Sequence, residues 1–267
     1  MQNQKDSKKS DIRPFRMYGN LYFVGSSAVS VHVVETSSGL VMIDTGYPDM
    51  YEQICFSMKE VGLNPEDICA IFHSHGHIDH FGCTERLKAI SGAKTYISRI
   101  DNAIVNGTYD WSWAKELGLP RVEPFDCDVL VEDGDSFVFG DTTIRCVLTP
   151  GHTEGVLSFF VNVEEDGKSL IAAMHGGIGM NSMTKEFLEE YGFSKDCREI
   201  FRKGLHSLKS EQVDIVMGNH PFQNNTEGKL KRLEAGESAF VDFTEWIRFL
   251  QETEATLDEM LENEEEK

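Results

Sequence analysis

The sequence contains no apolar run long enough to cross a bilayer, which excludes a helical membrane span. Residues Met1 to Ser10 are polar and lysine-rich with no apolar stretch after them, so no secretory signal is read there and a cytoplasmic location is expected. The six cysteines, Cys55, Cys69, Cys83, Cys127, Cys146 and Cys197, form no C-x-x-C pair and no tight spacing. In a chain of 267 residues this pattern reads as reduced, mostly buried thiols. Basic residues are in deficit, with 25 Lys and Arg against 45 Asp and Glu and a net charge of -20. Nucleic-acid binding draws on Lys and Arg to neutralise phosphates, so that partner is disfavoured; neither nucleic acid nor a membrane is expected. Part of the imbalance is local: residues 237–267 carry eleven acids against Arg248 and Lys267, a balance of -9. This stretch reads as a solvated helix face with a frayed acidic end. Low-complexity segments and interdomain linkers are also missing, and 40% hydrophobic content suffices for a full core, so one large domain is expected.

What is present is an alternating order of strands and helices. Leu21 to Val24, Ser30 to Glu35 and Leu40 to Ile43 read as strands, and Met50 to Val61 as a helix. The buried strand Ile68 to Phe72 precedes a histidine-rich loop, followed by a helix over Glu85 to Ile90 and a strand over Thr95 to Ser98. Asn106 to Pro124, with Tyr109, Trp111 and Trp113 among polar residues, reads as a long loop or lid. From Val129 the pattern turns strand-rich: Ser136 to Phe139, Thr142 to Leu148, Val156 to Val163 and Leu170 to Met174. The turns Phe139-Gly140-Asp141 and Glu165-Asp166-Gly167 punctuate hairpins. Helices are expected over Thr184 to Tyr191 and Lys195 to Leu208, then the strand Val213 to Met217. A last helix is expected through Phe243, Trp246, Ile247, Leu250, Leu257 and Leu261. Two halves of strands followed by helices suggest two packed sheets with helices outside. The expected boundaries are a mobile segment over 1–16, a domain over 17–235, and an acidic amphipathic helix over 236–267 packed on it.

Ser74-His75-Gly76-His77-Ile78-Asp79-His80-Phe81-Gly82 places three imidazoles and a carboxylate within six residues, directly after a buried strand. Residues two apart share a side in an extended segment and oppose each other on a helix, so His75, His77 and Asp79 converge only from a loop or strand end. Zinc and similar cations take such ligands, and three protein ligands leave a position for water. A second signature is Thr149-Pro150-Gly151-His152-Thr153-Glu154-Gly155, and a third is Gly218-Asn219-His220-Pro221, each with a histidine just past a strand. Together these residues make two sets of three ligands. Cys83, beside the cluster, reads as a packing residue at a helix start. His73 reads as a core imidazole or a support for the ligands, and His32 and His206 carry no signal.

With Ile43-Asp44-Thr45-Gly46, the H-x-H-x-D-H loop, the TPGHTEG turn and His220 in this order, the chain resembles the metallo-β-lactamase superfamily over roughly Met17 to Glu234. The resemblance implies an α/β fold, a four-layer αβ/βα sandwich of two mixed β-sheets with external helices. It implies one metal on His75, His77 and His152 and a second on Asp79, His80 and His220, with Asp44 steadying a ligand. The likeness is greatest to the third lactamase subclass, whose second metal uses Asp-His-His. One departure is Ala173-Met174-His175-Gly176-Gly177, where many hydrolytic relatives carry a metal-bridging aspartate and the lactamase subclass carries serines at or just beyond that place. His175 therefore stands where the family places a site residue, either reaching metals or substrate or supporting the ligands.

Two cations about 3.5–4 Å apart would share a hydroxide, since metal binding lowers the pKa of water from about 15.7 toward 7. Asp79 is the expected catalytic residue, orienting that hydroxide while holding the second metal. No serine or cysteine nucleophile is evident. The expected cofactors are two divalent ions, zinc foremost, with iron or manganese also compatible. The expected activity is hydrolysis of a small ester, lactone, thioester or amide by metal-bound hydroxide. The alternative is a mononuclear iron dioxygenase of the persulfide-dioxygenase type on the same fold. The partner is then a small-molecule substrate, chosen by loops 106–124 and 176–184, and aromatic residues of the lid or last helix could serve a homo-oligomer.

Overall fold

The computed structural model of the chain describes residues 12–265. Seven strands lie in sequence order in the first sheet: β1 (Phe15–Tyr18), β2 (Leu21–Phe23), β3 (His32–Thr36), β4 (Gly39–Ile43), β5 (Ile68–Phe72), β6 (Lys94–Ser98) and β7 (Val129–Val131). β1 to β4 pair antiparallel and β4 to β7 pair parallel. The second sheet runs β12-β11-β10-β9-β8, with β8 (Ser136–Phe139), β9 (Thr142–Leu148), β10 (Leu157–Glu165), β11 (Lys168–Met174) and β12 (Ile215–Met217). Only its β11–β12 pair is parallel, so both sheets are mixed. The helices are α1 (Tyr51–Glu60), α2 (Ile78–Phe81), α3 (Thr84–Ser91), α4 (Asn102–Val105), α5 (Lys185–Tyr191), α6 (Asp196–Leu208), α7 (Thr226–Glu234) and α8 (Glu245–Glu265).

Side-chain alternation along the strands builds the layers. Val41, Ile43, Ala70 and Phe72 point between the sheets, where they meet Leu157, Phe159, Ala172, Met174, Ile215 and Met217. The intervening Leu40, Met42 and Ile71, together with Ile68 at the irregular start of β5, face Ile54 and Met58 of α1 and Leu87 of α3. On the far side Phe160, Ala173 and Val216 face Phe201 and Leu205 of α6 and Trp246 and Leu250 of α8. Both strands β4 and β5 are buried on two faces and so read as near-continuous apolar runs. The result is the expected helix–sheet–sheet–helix sandwich.

Strand direction then positions the site. β4 and β5 are parallel neighbours, as are β11 and β12. β9 and β11 both run antiparallel to β10 and hence parallel to each other. The carboxyl ends of β4, β5, β9, β11 and β12 lead into Asp44, His73, Thr149, His175 and Gly218 respectively. Loops at strand ends are where side chains can converge without interrupting the sheet ladders.

The elements depart from expectation in a few places. Residues 1–11 of the segment expected to be mobile lie outside the described residues, but Ile12 is buried and Phe15 opens β1 against β2. The packed unit therefore starts before Met17, because Phe15 stacks on Phe23 at 5.5 Å and meets Phe240 at 5.4 Å. Phe243 precedes α8 and is 63% exposed, so it belongs to no helix face. The acids of α8 are not all solvated: Glu254 pairs with Arg202, His206 and Lys209, and Glu264 with Arg198. The hairpin at Asp166-Gly167 is borne out by φ values of 50° and 76°, the positive pair that a tight two-residue turn requires. Residues between Val105 and Val129 hold neither α-helix nor strand, as expected of a lid. Among the described residues no helix is long and apolar enough to cross a membrane.

Candidate metal centre

Ligand-type atoms from three loops meet in two groups. His75, His77 and His152 form one, and Asp79, His80 and His220 the other, with the atoms of each group within 4.8 Å of one another. His75 and His77 lie in the extended loop after β5, whereas Asp79 and His80 fall in the one-turn helix α2. The change of conformation at His77, with φ -86° and ψ 146°, is what sends neighbouring ligands to different groups. Asp79 therefore does not converge with His75 and His77, as spacing alone suggested; it faces His80 Nε2 at 3.4 Å and His220 Nε2 at 3.7 Å.

Each histidine but His77 is oriented through its other ring nitrogen. His75 Nδ1 donates to the Gly176 carbonyl at 2.8 Å, His152 Nδ1 to the Gly179 carbonyl at 2.8 Å, and His220 Nδ1 to the Ala28 carbonyl at 2.7 Å. His80 Nδ1 donates to Asp44 Oδ2 at 2.7 Å. A carbonyl or carboxylate oxygen can only accept, so these contacts fix the Nε2 lone pairs toward the centre, the tautomer that metal ligation needs. His77 presents Nδ1 to His75 Nε2 at 3.2 Å. His75 Nε2 is the acceptor there, so the contact is closed either by a proton on His77 Nδ1 or by a cation between the rings. The donor set of five imidazoles and one carboxylate thus fits two borderline-soft divalent cations, three protein ligands apiece.

Electrostatics point the same way. Burial, aided by the surrounding imidazoles, holds His75 and His77 well below the ordinary histidine range, and burial brings His152 down to about 4. These imidazoles are neutral at pH 7, as ligands must be. For His80 burial acts downward, but the carboxylates of Asp79 and Asp44 outweigh it and raise its affinity for a proton. A divalent cation would satisfy the same negative field.

Asp44 hydrogen-bonds into the ligand loop at two residues. Its Oδ1 accepts the Ser74 N–H at 2.7 Å, and its Oδ2 accepts both the Ser74 hydroxyl at 2.7 Å and His80. His175 joins neither group. Its ring is buried edge-on to Phe201 at 5.7 Å, Nδ1 accepts the Gly177 N–H at 3.3 Å, and Nε2 has no hydrogen-bond partner among the described residues. The stretch after β11 serves the site through its backbone instead, as the Gly176 carbonyl also accepts Asn219 Nδ2 at 2.7 Å. His73 bonds Thr84 at 3.3 Å on one side and is otherwise core, and the Cys83 Sγ–H meets the Tyr47 carbonyl at 2.9 Å.

Asp101 is a supporting residue that sequence reasoning missed. Buried past the end of β6, it accepts the Gly76 N–H at 2.8 Å and the Thr153 hydroxyl at 2.6 Å, tying the His75–His77 loop to the His152 loop. Burial raises its carboxyl to about 6 against those bonds. The one available signal was an S-x-x-D turn, Ser98-Arg99-Ile100-Asp101, whose Ser98 hydroxyl accepts the Asp101 N–H at 3.1 Å.

Residues 24–165 match the metallo-beta-lactamase superfamily. Among curated proteins, the chain is 25% identical over 214 residues to an N-acyl homoserine lactonase of Bacillus cereus, covering 72% of this chain and 77% of that one. Among solved structures, the native FEZ-1 metallo-beta-lactamase of Legionella gormanii superposes with a TM-score of 0.86 at 26% identity, over 96% of this chain and 98% of that one. BJP-1, a subclass B3 metallo-beta-lactamase of Bradyrhizobium japonicum, shares the fold with a TM-score of 0.84 at 23% identity, over 97% of each chain. The family match across more than half the chain, the shared sandwich and the paired ligand groups on one rim lead to one conclusion: this chain belongs to the metallo-beta-lactamase superfamily of metallo-hydrolases.

Proposed function

We propose that the chain is a dinuclear zinc hydrolase of small esters, lactones, thioesters or amides. The observation that carries this reading is the pairing of two three-ligand groups whose histidines, all but one, are tautomerically fixed by outer hydrogen bonds. When bound, divalent cations lower the pKa of a coordinated water toward about 7 and polarise a carbonyl. His75, His77 and His152 would hold one cation, and Asp79, His80 and His220 the other. Asp79 is the only carboxylate among the six, so it is the group able to accept a hydrogen bond from the attacking water and orient it. Trp113, 5.6 Å from the His77 ring, brings the lid over the first group and limits solvent there. The similarity to a lactonase and to a metallo-beta-lactamase supports a cyclic ester or amide among the substrates.

The test is metal analysis of the purified chain, followed by a screen of lactones, thioesters and β-lactams with wild type and Asp79→Asn. Two zinc ions per chain are expected, and the variant should lose more than the roughly 10–100-fold typical of an outer hydrogen-bond partner. Unchanged turnover in the variant would reject the mechanism. A single iron per chain with no hydrolysis would instead favour the dioxygenase alternative.

A further inference from the structure

Beside the first ligand group lies a cavity of about 280 Å³ that His77 and His152 help to line. Its walls come from three elements and the lid: Ile104 of α4, Tyr109 and Trp111 of the lid, Phe187 of α5, and Cys197 and Ile200 of α6. The aromatic wall is already assembled. Tyr109 stacks on Trp111 at 4.2 Å and 8°, and Trp111 meets Phe193 edge-on at 4.6 Å. Among the described residues the ionisable lining, apart from His77, His152, Cys197 and Tyr109, consists of Asp101, Glu154 and Asp196, with no Lys or Arg. Asp101 is committed to Gly76 and Thr153, so the two remaining acids set the sign of the field at the walls. A larger cavity of about 610 Å³ is lined by Lys229, Arg232 and Arg248 but by none of the six ligand residues.

We infer that the cavity beside His77 and His152 is the selectivity pocket of this enzyme and admits an uncharged apolar substituent of the substrate while disfavouring an anionic one. The inference rests on the hydrolase reading above. An apolar group entering this wall is removed from water against aromatic and aliphatic side chains. A carboxylate carried into it away from His77 and His152 would lose its hydration, find no Lys or Arg to pair with, and face two acids of its own sign. Affinity should therefore rise roughly fourfold with each buried methylene until the cavity is filled. Antibiotic-like substrates that carry a carboxylate on this side should be poor ones.

Binding can be read without turnover by following tryptophan fluorescence, since Trp111 lines the cavity. The full-length protein would be titrated with N-methyl alkanamides from acetamide to octanamide, and with the same series ending in a carboxylate. The expected result is a roughly fourfold gain per methylene for the neutral series, and weaker binding of every anionic counterpart. Ile200→Trp, at a position 45% exposed and tolerant of bulk, should end the gain at a shorter chain. Asp196→Lys should narrow the gap between neutral and anionic ligands. Affinity independent of chain length, or tighter binding of the anionic series to wild type, would overturn the inference. The two readings fail separately. A flat series in a protein that hydrolyses small acyl substrates rejects the pocket alone, while the expected slope in a protein that retains no metal rejects the hydrolase alone.

Discussion

Asp44 adopts φ 61°, a left-handed conformation that costs a non-glycine residue about 1–2 kcal/mol. The conformation persists because the carboxylate then collects three donors, the Ser74 N–H, the Ser74 hydroxyl and His80 Nδ1. Leaving buried donors unmatched costs about 1–3 kcal/mol each, more than the strain. Asp44→Asn keeps the shape but turns one acceptor into a donor facing donors. Zinc affinity of the group containing His80 is expected to fall roughly 10–100-fold, measured by competition with a chromophoric chelator; unchanged affinity would mean that His80 is held without Asp44. Gly176→Ala acts through the backbone. A methyl there would lie 2.0 Å from the Leu157 carbonyl oxygen, so the chain must shift and the acceptor of both His75 and Asn219 shifts with it. A loss of roughly 1–3 kcal/mol in stability is expected, with weaker metal retention, read by thermal unfolding with and without zinc. A native-like melting temperature and full metal content would remove Gly176 from the support. The two candidate ligand groups were legible in the sequence because only a few side-chain types can bind a cation. Gly176, Asn219 and Asp101 were not, since their roles depend on which carbonyl or N–H the fold brings near.

Helix α8 shows which interactions dominate at the scale of an element. Phe249, Leu250 and Leu257 are buried against α6 and the second sheet, each contributing about 1.5–3 kcal/mol, whereas an exposed ion pair contributes about 0–1 kcal/mol. The apolar stripe therefore holds the helix and the charges adjust its register. Glu254 is the exception in degree, because Lys209, His206 and Arg202 converge on one carboxylate and hold it down at about 2. Its folded pKa is depressed, so its contribution is present above the unfolded carboxylate range and is lost as pH falls toward about 2. Glu254→Gln is expected to lower stability by about 1 kcal/mol and the melting temperature by roughly 2–4 °C at pH 7. The difference from wild type should shrink as pH falls through the carboxylate range; a pH-independent difference would assign the effect to packing. The stripe of α8 was legible because it repeats at helical spacing from Trp246 to Leu261, about four turns. α7 went unread because it buries few residues, Thr226, Lys229 and Leu230, and so carries no apolar period. β1 went unread because four residues carry too little alternation to stand out.

For the whole molecule, buried imidazoles matter more than the formal charge. Burial takes His32, His73 and His152 down to about 4 and His175 to about 3. Each is neutral in the folded chain but binds a proton once unfolded below about 6.5. Unfolding therefore takes up protons, and stability present above pH 6.5 is lost as pH falls toward 4. His80, raised by Asp79 and Asp44, runs the other way and offsets one of these. The metal-free chain is expected to show a lower urea midpoint at pH 5 than at pH 7 with an unchanged slope, and equal midpoints would contradict neutral burial. Zinc at 100 times its dissociation constant should add about 2.7 kcal/mol, seen as a concentration-dependent rise in melting temperature.

The ligand loops arise from opposite halves of the sandwich: residues 75–80 follow β5 of the first sheet, while His152 and His220 follow β9 and β12 of the second. Bound cations would thus act as a rivet through both plates, joining them at one end of an interface otherwise closed by apolar contact. Stripping the metal should loosen that end in concert. Amide exchange would quicken together at the last residues of β5, β9 and β12, and stay slow at the opposite edge.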